Sequence, residues 1–209
     1  MSGITYFESY SIASRPIIEG LTPQLLLAQM LPPEATKREG GVMESKAKAL
    51  GHPIHQMLVP FPFGLLATAV IFDIIYLVWL GPTMVTVSYW MMTAGIIGAL
   101  AAAPFGLIDW IAIPGGTRAK SIGLIHGLGN VVVLVLFLAS CWIRYRSRGV
   151  IPYEPSTPAL VLSFAGFALA GITGWLGGEL VDRLGVGVDD GANLNAPSSL
   201  SGSATRRAA

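Results

Sequence analysis

The chain has 209 residues, 53% of them hydrophobic and only 12% charged, with a mean hydropathy of +0.63. A soluble domain carries about 25% charged residues, so the composition excludes an ordinary water-soluble globule. A net charge of +1 with no basic stripe argues against a nucleic-acid partner, and a single cysteine, Cys141, excludes an intrachain disulfide or a cysteine-rich zinc site.

In chain order, residues 1–50 are mostly polar and form an extension. Within it, Thr22 followed by Pro23 starts a short predicted helix over 22–31, with Thr as cap and Pro at the first helical position. Its leucines suit a membrane surface or a partner protein. The run is broken by Pro23, Gln24 and Gln29 and lacks a basic lead, so it is read neither as a cleavable signal nor as a span.

Four continuous apolar segments follow, predicted at about 58–80, 84–108, 121–143 and 157–178. Lipid cannot satisfy a bare backbone, so each must be a helix. The expected fold is therefore all-α, an integral membrane four-helix bundle over 51–184. It carries a polar N-terminal extension and a flexible, disordered C-terminal tail over 185–209. The link at 81–83 is so short that the first two spans form an antiparallel hairpin.

With four spans, both termini and the second link share a side that holds ten Lys and Arg residues. The other side holds Arg144, Arg146 and Arg148. This asymmetry predicts cytoplasmic termini in a bacterial inner membrane. Small residues spaced by four, among them Gly123 and Gly127 on the third span and Gly166, Gly174 and Gly178 on the fourth, are expected as packing seams. The glycines beside His126 would equally clear space for a planar ligand.

Ionisable groups at membrane depth cost at least about 2.5 kcal/mol on insertion scales, so each needs a partner. His126 lies roughly 8 Å into the third span at 1.5 Å per residue, with Asn130 on the same face four residues on. His52 and His55 precede the first span, Asp109 ends the second and Glu179 ends the fourth, all toward one membrane face. Three chemistries fit that cluster. His126 with His55 or His52 would ligate haem b, with Asn130 beside them. His55, His126, Asp109 and Glu179 would hold a metal through mixed nitrogen and oxygen ligands. Alternatively, the groups satisfy one another without a cofactor. Asp73 sits alone in the first span, toward the opposite face, and is expected as a protonated or hydrogen-bonded contact between helices.

"GHPIHQMLVPFPFGLL", the "GLID" ending the second span, "HGLGN" in the third and "GWLGGELV" closing the fourth resemble the domain-of-unknown-function 2231 family over roughly residues 50–187. Gln56 stands where that family's HPxHP motif has a second proline. The resemblance implies a small bacterial membrane protein with four spans and motif residues His52, His55, Asp109, His126, Asn130, Gly177, Gly178 and Glu179. Fusions of relatives to Rieske or cytochrome c type domains imply a role beside electron transfer. The expected function is a non-catalytic membrane subunit or module of that kind, holding haem b or a quinone near the cytoplasmic face. The alternatives are a cofactor-free accessory subunit docked on a larger membrane complex through its N-terminal extension, and a metal-binding or carrier protein. No nucleophile–base pair or phosphate loop points to an enzyme.

Overall fold

The computed structural model describes residues 41–79, 81–147 and 149–201. The expected helix over 22–31 lies outside the described residues. After an antiparallel pair of two-residue strands, β1 (Lys48–Ala49) and β2 (His52–Pro53), come α1 (Ile54–Leu58), α2 (Pro60–Trp79), α3 (Pro82–Ala112), α4 (Arg118–Tyr145) and α5 (Thr157–Gly178). A π-helical turn, Glu179–Arg183, continues α5. Four helices are long and apolar enough to cross a membrane: Ile54–Trp79, Pro82–Ala112, Arg118–Tyr145 and Thr157–Arg183.

Every span runs beyond its apolar run. Val59 N–H donates to the His55 carbonyl at 3.0 Å and Phe63 N–H to that of Val59 at 3.2 Å, so α1 and α2 make one rod despite Pro60 and Pro62. Pro60 and Pro62 offer no N–H to the carbonyls four residues before them, and the bonds on either side carry the rod past the gaps. Prolines also open α3 at Pro82 and α5 near Pro158, where the first turn of a helix has no intrahelical use for its N–H groups. Thr117 caps α4, its hydroxyl accepting from Lys120 N–H at 3.1 Å. Lys120 then reaches back to the carbonyls of Trp110 and Ile111 at 2.7 and 3.2 Å and lies over the Trp110 ring, closing the end of α3.

α2 packs mainly on α3, and α4 mainly on α5; α3 with α4, and α2 with α5, join the two hairpins. The apolar core draws on all four helices: Leu66, Ala69 and Val70, Met92 and Ile96, Val133 and Phe137, and Ala170. Close approach depends on glycine at a few points. A Cβ on Gly95 would stand 2.8 Å from Leu66, one on Gly166 3.0 Å from Phe137, and one on Gly123 2.7 Å from Trp110. Gly174 makes only ordinary contact with Phe63, and Gly127 and Gly178 face open space. Four residues turn a helix about 40° past a full turn, so a row of glycines spaced by four drifts off its neighbour. Gly129, rather than Gly127, meets α5, its Cβ position lying 2.6 Å from the Thr173 methyl.

Residues 185–189, within the stretch expected as a flexible tail, are tied back to the segment before α1. Met43 and Val186 form a parallel bridge, with Met43 N–H on the Gly185 carbonyl (2.9 Å) and Gly187 N–H on the Met43 carbonyl (2.7 Å). Lys48 ion-pairs with Glu44 (2.8 Å) and with Asp189.

Candidate functional site

The bundle has two polar ends. At the end where α2 and α4 begin, His126 Nδ1 lies 2.8 Å from the Thr173 carbonyl. A carbonyl only accepts, so Nδ1 carries the proton and Nε2 the lone pair. Asn130 Nδ2 approaches that Nε2 at 3.2 Å and the His126 carbonyl at 2.9 Å, and Asn130 Oδ1 accepts from the Thr173 hydroxyl at 3.0 Å. Gly177 leaves room for the ring, since a Cβ there would stand 3.2 Å from His126 Cε1. His126 and Asn130, paired by their spacing in the sequence, are thus brought together, and Thr173 completes the set.

The other expected residues find separate partners. His55 Nδ1 lies 3.0 Å from the Ala102 carbonyl, and its ring packs on Gly106, where a Cβ would come within 2.7 Å. His52 Nε2 lies 3.3 Å from the Ser199 hydroxyl. Asp109 accepts from the Ser45 hydroxyl (2.8 Å to each oxygen) and from Lys46 N–H (2.8 Å) and Ala47 N–H (3.4 Å). Glu179 pairs with Arg118 at 2.6 Å. Among the described residues, no three His, Cys, Asp or Glu side chains gather as a metal-holding group. The mixed set of His55, His126, Asp109 and Glu179 is therefore not assembled: both carboxylates are drawn to other donors.

Outside the spans, the clasp around Lys48 has shifted acidities. The hydrogen bond from Lys48 holds the Glu44 carboxyl below its usual value, helped by the Asp190 N–H. Partial burial pushes Lys48 down, but its bonds to Asp189 and Glu44 outweigh this and raise it.

The opposite end holds a group that spacing did not reveal. Arg144 grips Asp73 with both arms, Nη1 to Oδ1 at 2.8 Å and Nη2 to Oδ2 at 2.6 Å. Ser88 donates to Oδ1 at 2.6 Å, Ser163 lies 3.3 Å from Oδ2, and Arg144 Nε reaches Ser140 at 3.3 Å. Asp73 and Arg144 are 0% exposed. All four spanning helices contribute to this network. Asp73 is therefore hydrogen-bonded between helices, in a two-armed pair with Arg144. Arg144 was counted with the polar link because it follows the apolar run. It lies inside α4, four residues after Ser140 and on its face. Two opposite charges assigned to the same end of the first and third spans were the available signal.

Neither a curated protein nor a solved structure matches the chain. A family model does, the one described as "Predicted membrane protein (DUF2231)", over residues 51–190. That stretch contains all four spans, the His126–Asn130–Thr173 set and the Asp73–Arg144 pair, and the chain belongs to that family of membrane proteins.

Proposed function

We propose that the chain is a non-catalytic accessory subunit of a larger complex in a bacterial inner membrane, with both termini cytoplasmic. One observation carries this reading. Among the described residues, every buried side-chain nitrogen and oxygen has a hydrogen-bond partner within the chain. A bundle that pairs its own buried polar groups supports a structural role, because such pairing stabilises the packing of the helices. Its orientation rests on the Lys and Arg asymmetry. The N-terminal extension is the docking element. Tagged full-length protein should migrate as part of a larger assembly in native separation, and protein lacking residues 1–45 as the free bundle. Equal migration of the two sinks the docking role.

A second reading, a subunit holding haem b or a quinone beside electron transfer, is favoured by the histidine tautomer. Metal-ligating histidines commonly fix Nδ1–H on a carbonyl and present Nε2. His126 does this on Thr173 and His55 on Ala102. Haem would supply one-electron chemistry; the chain would supply His126 Nε2 once Asn130 turned aside. The same lone pair could accept a quinol hydroxyl. Protein purified after expression with ample haem should show a Soret band that is lost in His126→Ala. A colourless wild-type protein eliminates haem, and an organic extract free of quinone eliminates the other cofactor.

A further inference from the structure

We propose that residues 149–156 form a strap that closes one end of the bundle over the Asp73–Arg144 pair, and that releasing the strap admits water to the pair. The first observation is a complete burial close to one end of the bundle. Arg144 is the penultimate residue of α4, and Asp73 lies six residues before the end of α2, yet neither is exposed to any degree.

The strap joins α4 to α5 but is pinned to the other hairpin. Glu154 accepts from the Tyr76 hydroxyl of α2 at 2.8 Å. Tyr153 stacks on Tyr89 of α3, with ring centroids 3.9 Å apart and planes 6° from parallel. Tyr76 follows Asp73 by one helical turn, and Tyr89 follows Ser88 directly, so both pins stand beside the groups they shelter. Tyr153 holds φ at +63°, a conformation a bulky side chain keeps only when its surroundings impose it.

Ahead of the pins, an open groove lies between Val150, Ile151 and Pro152 on one side and Pro82, Thr83 and Thr86 at the start of α3 on the other. Val150 at the tip is fully exposed. A segment strained at one residue, fixed at two points and bordered by an open groove can lift without disturbing the helices beneath it. The two tyrosines are therefore the latch, and the ion pair is what it keeps dry.

Carboxylate labelling tests this in the full-length protein in detergent micelles, using a water-soluble carbodiimide with an amine nucleophile and peptide mass spectrometry. In the wild type, Asp73 should be labelled at least tenfold more slowly than the exposed Asp182. Tyr153→Ala should raise Asp73 labelling at least tenfold while labelling of the clamped Asp109, at the other end, stays unchanged. Tyr76→Phe removes one oxygen and keeps the ring, so it reads the strap even if Tyr153→Ala does not fold; a several-fold rise at Asp73 is expected. Val150→Ser, outside both pins, should leave Asp73 protected. Wild-type labelling of Asp73 at the rate of Asp182, or full protection retained in Tyr76→Phe, overturns the proposal.

Discussion

Asp73 and Arg144 meet as a two-armed ion pair shielded from solvent, joining α2 to α4 across the two helical hairpins. Removing one member strands a charge in a medium that cannot solvate it, at a cost of about 3–5 kcal/mol. We expect Asp73→Leu and Arg144→Met each to be destabilised by that amount in denaturant unfolding in micelles. The double variant should be more stable than either single one. A double variant that adds the two losses would show that the pair does not act as a unit.

Asp109 gathers one hydroxyl and two backbone N–H donors from residues 45–47, holding the segment ahead of α1 against the end of α3. Asp109→Asn keeps the shape but removes the charge, turning charge-assisted hydrogen bonds into neutral ones about half as strong. Limited proteolysis should cut near residues 45–50 faster in that variant, with the spans intact.

The clasp of Glu44, Lys48 and Asp189 has a definite pH window. Glu44 titrates below its usual 4.5, so its contribution is complete above that value and is lost as pH falls through the lowered value. Lys48 titrates above its usual 10.5, so its contribution is complete below that and is lost as pH rises through the raised value. Amide resonances of Met43 and Gly187 should therefore hold steady across the neutral range and move at both extremes. Movement near pH 7 would contradict this.

Gly127 and Gly129 provide a matched pair on one helix. A Cβ on Gly129 collides with Thr173, whereas one on Gly127 meets nothing. Gly129→Ala should cost about 1–3 kcal/mol through forced displacement, while Gly127→Ala should stay within about 0.5 kcal/mol of wild type. Thermal unfolding in micelles distinguishes them.

The spans were legible because lipid imposes one simple rule on backbone, and length with apolarity reports it. His126 with Asn130 was legible for a similar reason: a helical spacing of four is local. Thr173, which fastens that pair to α5, sits 43 residues from Asn130, and no local pattern announces such a partner. Arg144 was hidden by a boundary. An apolar run stops at the first charge, whereas a helix stops where its hydrogen bonds do, and α4 continues to Tyr145. The clamp on Asp109 and the bridge from Met43 to Val186 depend on backbone amides, which every residue type carries alike. Composition is blind to such contacts.

The apolar layer of Leu66, Val70, Met92, Ile96, Val133 and Phe137 lies between the two polar ends. It is an insulator. Charge entering beside Asp73 finds no continuous relay of hydrogen-bonding side chains toward His126 among the described residues, and a bare ion crossing that stratum would forfeit its hydration. A single bundle in this conformation thus places a stratum of low dielectric between its two polar ends.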